Sequence, residues 1–384
     1  MKNRFNQKKL LWLSLILCIA AVLTGSGLRV MAHPVIEIPA NSPQTQNAIA
    51  IQSSTASVAF PASITFKLSV NDDVNIVDIR LRYTLQRETF ANAFSESFVD
   101  FTPGGNVQAS WVMDMQKTGG LPPGTVVNYW WVVTDAAGRR FESSQQQIEF
   151  ADDRFKWKNL QQNNVTLYWY SGSDTFANTL MTTAQQALVR LENNTGAKLS
   201  RPIRIFIYAS TQDLQGSMIF PAEWTGGVSF TEYAIIAIGI SPSNLAWGQN
   251  AVAHELTHLA VHQMTFNPYN ELPTWLDEGL AVYNELQPDP SYVRLVSQAA
   301  ASNTLASVRS LSSPFSAYSN EASLSYAESY SVVNYLIGTY GQGKMLSLLN
   351  TFQQGSGYDD AFKKVYGFDM DQLYASWKQN IGGR

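Results

Sequence analysis

The chain has 384 residues with 45% hydrophobic side chains and ten tryptophans, enough apolar material to bury the cores of about two domains. Lysine and arginine number 26 against 30 aspartates and glutamates, a formal net charge of −4. This balance excludes the basic surface that a nucleic-acid partner or a polybasic membrane contact requires, so we expect neither. The single cysteine excludes an internal disulfide bond.

The N-terminus has the pattern of an export signal. Basic residues precede an apolar run, Leu10–Leu23, that is short for a membrane span. Small residues around Ala32 predict cleavage there, and retention of 1–32 as an N-terminal anchor is the alternative. That anchor is the one membrane link that the sequence offers, because Cys18 lies inside the apolar run, where a lipid-carrying cysteine does not stand. We therefore predict an extracytoplasmic protein, either secreted or anchored at the outer face of the membrane.

Residues 33–50 are rich in Pro, Asn and Gln and are predicted to form a linker. In 51–150, short runs of alternating apolar and polar residues are separated by turn signals such as Asn71–Asp72 and Pro122–Gly124. This spacing predicts an antiparallel β-sandwich. The run LPPGTVVNYWWVVTDAAGR (121–139) resembles the penultimate-strand region of Ig-like or fibronectin type III domains. The segment contains no catalytic constellation, so we expect a spacing or binding role, with sugar binding through Trp130 as one hypothesis.

From residue 155 to the C-terminus, the sequence first predicts both strands and helices and then only helices. A charged, polar boundary at 152–162 precedes this domain, and spaced leucines and alanines predict a helix over 174–193. Apolar runs predict strands at 164–170, 201–208, 226–230 and 233–240. The fold class predicted for the whole chain is α+β: the β-sandwich, then a domain with a small mixed sheet and a largely helical C-terminal half.

The motif that carries chemistry is HELTH, with His254 and His258 in the H-E-x-x-H pattern. The stretch 251–260 lacks Gly and Pro and is predicted to be helical, so residues i and i+4 point the same way and both imidazoles can bind one zinc ion. Glu255 lies at the edge of that face, within reach of a water on the metal. The alternative is an amphipathic helix with two solvated histidines. Three of the four histidines in the chain lie in this one helix, which disfavours that alternative.

A catalytic zinc ion needs a third protein ligand, and two residues are candidates. His262 continues the series but lies about 12 Å along the helix axis from His254, too far to share the ion. We predict that it is a surface or packing histidine. Glu278 follows His258 by 20 residues, enough for a loop and a second helix that begins near Pro273. The predicted metal ligands are therefore His254, His258 and Glu278, binding one Zn²⁺ per chain.

VAHELTHLAV (252–261) resembles the zinc helix of thermolysin-like peptidases, and WLDEGLA (275–281) resembles the third-ligand segment of gluzincin aminopeptidases. The order and spacing resemble those of peptidase MA-like gluzincin domains, over roughly 155–384. The resemblance implies a zincin-like fold with an edge strand, here within 225–240, to which an extended peptide adds. It also implies a peptide or protein substrate.

SYAESYSVVNYL (325–336) resembles the aminopeptidase stretch whose tyrosine stabilises the oxyanion. The resemblance implies that role for Tyr326, with Tyr330 as runner-up and packing in the core as the alternative for both. No histidine remains for the role, which also favours a tyrosine. The chain has no G-A-M-E-N-like segment to hold a free substrate amine, so an endopeptidase is favoured over an exopeptidase.

The predicted function is that of an exported zinc metallopeptidase. Zinc would lower the pKa of a bound water, Glu255 would move its proton to the departing amine, and Tyr326 would stabilise the oxyanion. Asn284 and Glu285 are candidates for orienting the histidines. The alternatives are an inactive zinc-binding or metal-free extracytoplasmic binding protein, and hydrolysis of another amide, such as a cell-wall peptide link. The sequence does not specify an oligomeric state.

Overall fold

The computed structural model describes residues 49–222, 225–316 and 319–382. The described residues belong to one compact unit. The predicted signal or anchor (1–32) and nearly all of the predicted linker (33–50) lie outside the described residues. Ile49 is already buried, and Ala50 begins the first strand. Within the described ranges, the helices are too short or too polar to cross a bilayer.

The first part of the chain is an antiparallel β region of seven strands with one short helix, α1 (Met115–Thr118). The strands are β1 (Ala50–Ala59), β2 (Ser63–Leu85), β3 (Ser95–Phe98), β4 (Gly104–Asp114), β5 (Thr125–Asp135), β6 (Arg140–Glu142) and β7 (Gln146–Phe150). The first half of β2 pairs with β1 and β4, and its second half pairs with β5 and β3. Hydrogen bonds through β2 join these seven strands, and the β-sandwich that the sequence predicts stays a prediction.

The length of β2 differs from the prediction, which places a turn at Asn71–Asp72. The strand continues through this polar stretch with register shifts after Asn71. The Asp72 side chain is fully buried, and its Oδ1 lies 2.9 Å from Arg139 Nη2. A buried carboxylate is tolerated in a strand when such a partner compensates its lost hydration. The alternation of apolar residues on either side of this stretch does not reveal that partner.

The second part of the described chain begins with a mixed sheet, as predicted, which has five strands where the sequence predicts four. Its strands are β8 (Lys158–Gln162), β9 (Val165–Trp169), β10 (Ile203–Tyr208), β11 (Gly227–Phe230) and β12 (Ile235–Gly239). The spatial order is β11-β12-β10-β9-β8; the three central strands run parallel, and the two edge strands are antiparallel. β10 and β12 are apolar on both faces because both faces of the sheet are covered. The region 152–162, predicted to be a polar boundary, contains the edge strand β8.

The C-terminal half is helical, which confirms the predicted fold class at this level. The helices are α2 (Asp174–Thr195), α3 (Thr211–Gln215), α4 (Leu245–Thr265), α5 (Thr274–Tyr283), α6 (Ser291–Ala301), α7 (Ser319–Tyr340), α8 (Gln342–Gln353), α9 (Tyr358–Tyr366) and α10 (Met370–Gly382). Helix α4 carries the HELTH motif between two cores. Its Leu256 and Leu259 pack toward the sheet, and its Ala260 and Val261 pack into the helical core. This burial holds the motif rigidly on the sheet.

The β region contacts the mixed sheet beside edge strand β11. Arg201 Nη2 donates hydrogen bonds to Glu88 Oε2 at 2.6 Å and to the Thr231 carbonyl oxygen at 3.0 Å. The Glu88 backbone N–H donates to the Glu232 carbonyl oxygen at 2.8 Å. Thr231 and Glu232 belong to a 3₁₀ turn that directly follows β11. The β region is therefore tied to the turn at which this edge strand ends.

Candidate metal centre and active site

Helices α4 and α5 bring the three predicted metal ligands together. His254 Nε2 lies 3.3 Å from Glu278 Oε2, and His258 Nε2 lies 3.5 Å from the same oxygen. The three side chains form a group whose ligand atoms all lie within 4.8 Å of one another. The two histidines are one helical turn apart, and α5 presents Glu278 opposite them. The arrangement places two ring nitrogens and one carboxylate oxygen around a common point.

The atoms around this point fit a zinc ion. Glu278 Oε2 is buried and has no hydrogen-bond partner among the described residues. A buried carboxylate oxygen in that state costs free energy unless positive charge compensates it. Two imidazole nitrogens and one carboxylate oxygen are an established ligand set of catalytic Zn²⁺, and the set leaves a fourth position open. We conclude that the donor atoms and their burial suit this metal.

The remaining ring nitrogen of each histidine faces a second carboxylate. His254 Nδ1 is hydrogen-bonded with Glu285 Oε1 at 3.0 Å, whereas His258 Nδ1 lies 3.0 Å from Asp277 Oδ1 in an ionic contact without a hydrogen bond. A carboxylate at Nδ1 favours the tautomer that leaves Nε2 free to bind a metal. Glu285 is one of the two residues that the sequence analysis considers for this role. Asp277 is missed there, although its place directly before Glu278 in the chain is a usable signal.

Two further residues near the site have other partners. Asn284, the second candidate for orienting a histidine, instead donates from Nδ2 to Thr257 Oγ1 at 2.9 Å. His262 Nε2 lies 3.0 Å from Asp277 Oδ2, outside the group formed by the three predicted ligands. His262 therefore pairs with the carboxylate that also faces His258. The sequence analysis predicts a surface or packing role for His262 and does not identify this pair.

The carboxylates around the site stabilise positive charge on the ring nitrogens. Burial lowers the pKa of His254, but the carboxylates of Glu278 and Glu285 beside its ring outweigh burial and raise that pKa to about 9. Burial raises the pKa of Glu278, but the nearby rings of His258 and His254 outweigh it and lower the pKa to about 2. Binding of a divalent cation would release protons from such rings, because a metal ligand must be deprotonated.

The Glu255 carboxylate lies against edge strand β11. Ser229 Oγ donates to Glu255 Oε2 at 2.7 Å and also lies 2.8 Å from the Glu255 backbone oxygen. A Cβ atom added to Gly227 would lie 2.6 Å from Glu255 Oε1. The sequence predicts that Glu255 lies beside the metal, but it does not predict the contacts with Gly227 and Ser229. Ser229 precedes Glu255 by 26 residues, and no local periodicity relates the two.

Tyr326 lies on α7 near the histidine rings, with its ring centre 6.3 Å from that of His254. Burial, and then the negative charge of Glu278, raise the pKa of Tyr326 well above its ordinary value. A tyrosine hydroxyl is protonated at neutral pH and can donate a hydrogen bond. Tyr330, one turn further along α7, packs against Tyr292 with ring centres 6.4 Å apart. Of these two tyrosines, Tyr326 is the one near the histidines.

Comparison with curated protein sequences gives no match. Among solved structures, a mutant M1 zinc metallopeptidase from Deinococcus radiodurans is 10% identical, with 86% of this chain and 94% of that chain covered and a TM-score of 0.36. A two-domain M1 zinc metallopeptidase mutant bound to L-arginine is 11% identical, with the same coverage and a TM-score of 0.37. A β-1,3-glucan binding domain of carbohydrate-binding module family 56 is 10% identical, with 25% of this chain and 95% of that chain covered and a TM-score of 0.16. Similarity at this level carries no argument about function.

The family model of the Peptidase MA superfamily matches residues 183–383, just over half of the chain. This span begins within helix α2 and includes α4, α5 and α7, and hence every residue of the proposed ligand group as well as Glu255 and Tyr326. The chain therefore belongs to the Peptidase MA superfamily.

Proposed function

We propose that this chain is a zinc-dependent metallopeptidase, with His254, His258 and Glu278 as metal ligands and Glu255 as the general base. The observation that supports this most strongly is the convergence of two Nε2 atoms on the buried Glu278 Oε2, which has no hydrogen-bond partner among the described residues. A purely structural metal site has no use for the carboxylate of Glu255 between its two histidines. Membership of a peptidase superfamily supports the same reaction class.

In the proposed mechanism, the side chains of this chain move and hold the protons. Zinc bound at the ligand group would polarise the substrate carbonyl and lower the pKa of the attacking water. Glu255 accepts the proton of that water and then donates it to the departing amine. The Tyr326 hydroxyl donates a hydrogen bond to the developing oxyanion. Glu285 and Asp277 keep the two imidazole rings in the orientation that binds the metal.

Strand β11 is the proposed binding edge for the substrate. Within the described residues, β11 pairs only with β12, so its outer backbone groups are open to an extended peptide. The strand also contacts Glu255 through Ser229, which places the binding edge beside the proposed base. Pairing with an edge strand recognises peptide backbone along its length and needs no chain terminus. We therefore propose an endopeptidase acting on peptides or proteins.

The export pattern in residues 1–32 supports a location outside the cytoplasm. We propose that the enzyme is secreted or anchored at the outer face of the membrane by this segment. Its substrates would then be extracytoplasmic polypeptides.

The proposed function is tested by hydrolysis of quenched fluorescent casein by the full chain, with and without a chelator. We expect one zinc ion per chain and cleavage that the chelator abolishes. Glu255→Gln should retain zinc and lose about 10²–10⁴-fold in kcat, the usual contribution of a general base. As a matched control, Glu192→Gln removes the charge of an exposed glutamate that pairs with Lys198, and it should behave as wild type.

Three outcomes would contradict this proposal in whole or in part. Cleavage that survives removal of zinc would exclude a metallopeptidase. Zinc bound at one ion per chain without any cleavage would instead support the inactive binding protein. Full activity in Glu255→Gln would leave the metal site intact and reject the assigned base.

A further inference from the structure

Strand β11 contacts the Glu255 side chain in addition to presenting its open edge. The Ser229 hydroxyl lies 2.7 Å from Glu255 Oε2, within the range of a strong hydrogen bond. A hydrogen bond from a hydroxyl to an ionised carboxylate is roughly twice as strong as one between neutral groups. The hydroxyl is therefore able to hold one oxygen of this carboxylate in a defined place.

Gly227 and Ser229 lie on the same face of β11, because side chains alternate along a strand. Val228 and Phe230 lie on the opposite face and pack against the aromatic core of the sheet. A Cβ at position 227 would come within 2.6 Å of Glu255 Oε1. The carboxylate of Glu255 thus occupies the space that a side chain at 227 would fill, with its other oxygen on the Ser229 hydroxyl.

We propose that Ser229 is a positioning residue for Glu255, and that Gly227 provides the space in which the carboxylate is held. This inference rests on the proposed function, since it concerns the orientation of the proposed base. Its consequence is that one four-residue strand both aligns the peptide and orients the group that activates water. The distance from the base to the scissile bond is then set within a single element.

A purely structural role for Ser229 is the competing explanation. The hydroxyl also lies 2.8 Å from the Glu255 backbone oxygen, so it could serve only to tie β11 to helix α4. A structural tie predicts that its loss lowers the thermal midpoint or the zinc content. A positioning role predicts a lower kcat with little change in KM, zinc content or thermal midpoint, because the metal ligands and the outer edge of β11 are untouched.

The experiment measures kcat and KM for casein-derived peptides with the full chain and its variants. Ser229→Ala should lower kcat about 10–100-fold, the cost of a modest misplacement of a reacting group. Ser229→Thr retains the hydroxyl and should recover most of that loss. Gly227→Ala is a second, independent variant, and it should also lower kcat because its methyl group displaces the carboxylate. Ser241→Ala, at a half-buried serine whose hydroxyl is hydrogen-bonded to that of Ser243, is the matched control.

A double variant separates positioning from a general loss of structure. In a Glu255→Gln background, Ser229→Ala should cause no further loss, because residues that act as a unit are not additive. A further loss of about 10–100-fold in kcat on adding Ser229→Ala to Glu255→Gln, the loss expected of Ser229→Ala alone, would overturn the proposal. Unchanged kcat in both Ser229→Ala and Gly227→Ala would also overturn it. Chelator-sensitive hydrolysis by the wild type is measured first. Its absence rejects the proposed function, whereas its presence with unchanged variants rejects only the positioning role.

Discussion

Each histidine of the proposed zinc site uses its two ring nitrogens for different tasks. The Nε2 atoms of His254 and His258 face Glu278, while their Nδ1 atoms face Glu285 and Asp277 respectively. A neutral imidazole that donates from Nδ1 carries its lone pair on Nε2. The outer carboxylates therefore favour, once the rings have lost their second proton, the tautomer that a metal needs.

This arrangement predicts the effect of removing one outer carboxylate. Glu285→Ala should weaken zinc binding about 10–100-fold, the usual cost of losing a group that orients a ligating histidine. Glu285→Gln keeps an oxygen that can accept from Nδ1 of His254, so its loss should be smaller. Competition with a fluorescent chelator measures both affinities. Equal affinities in Glu285→Ala and the wild type would show that the contact at 3.0 Å does not orient the ring.

The residues of the site differ in how far the sequence alone predicts them. His254, His258 and Glu278 were predicted because helix geometry relates residues four apart and because a 20-residue connection allows a second helix to return. Ser229 and Asp277 were not predicted, since each owes its contact to the packing of separate elements. A hydroxyl or a carboxylate has too many partners of similar strength for sequence spacing to select one.

At the level of elements, the site depends on how closely helix α5 approaches helix α7. Gly279 directly follows Glu278. A Cβ added at this glycine would lie 2.5 Å from the backbone oxygen of Ser329 and 2.6 Å from Val333 Cγ2. A larger residue would force the two helices apart. Because Glu278 directly precedes Gly279 in α5, that movement would also displace the proposed metal ligand.

Two glycine variants in helices test this packing. Gly279→Ala should lower the free energy of unfolding by about 1–3 kcal/mol, because overpacking strains side chains and backbone. It should also weaken zinc binding. Gly338→Ala is the matched control. That glycine is exposed in α7, and nothing lies within 4 Å of an added Cβ, so this variant should raise the free energy of unfolding by about 1 kcal/mol. Urea denaturation measures both. Similar stability of the two variants would contradict the close approach.

The helices and strands differ in how well the sequence predicts them. Long periodic segments such as α2 and the apolar strands β10 and β12 were predicted near their observed bounds, because burial on one or both faces imposes a pattern. Strand β8 was missed because most of it is exposed and polar at the edge of the sheet. The continuous β2 was missed because the strand at Asp72 contains an ion pair with Arg139 and not an apolar pattern.

At the scale of the whole molecule, the β region and the peptidase elements meet at the end of the proposed substrate-binding edge. Arg201 contacts both Glu88 and the turn after β11. Arg201 and Glu88 are 113 residues apart in the sequence. The sequence predicts two domains in this order but not this contact, since long-range ion pairs leave no periodic pattern. The β region is thus part of the environment of β11.

The measurement that tests the central claim most directly is the location of zinc by anomalous diffraction from crystals of the full chain grown with the metal. Among the described residues, two groups of side chains could hold an ion: His254 with His258 and Glu278, and His258 with His262 and Asp277. We predict one zinc ion at about 2.0–2.2 Å from Nε2 of His254, Nε2 of His258 and a carboxylate oxygen of Glu278. Zinc in the second group, or no zinc at either, would contradict the proposed active site.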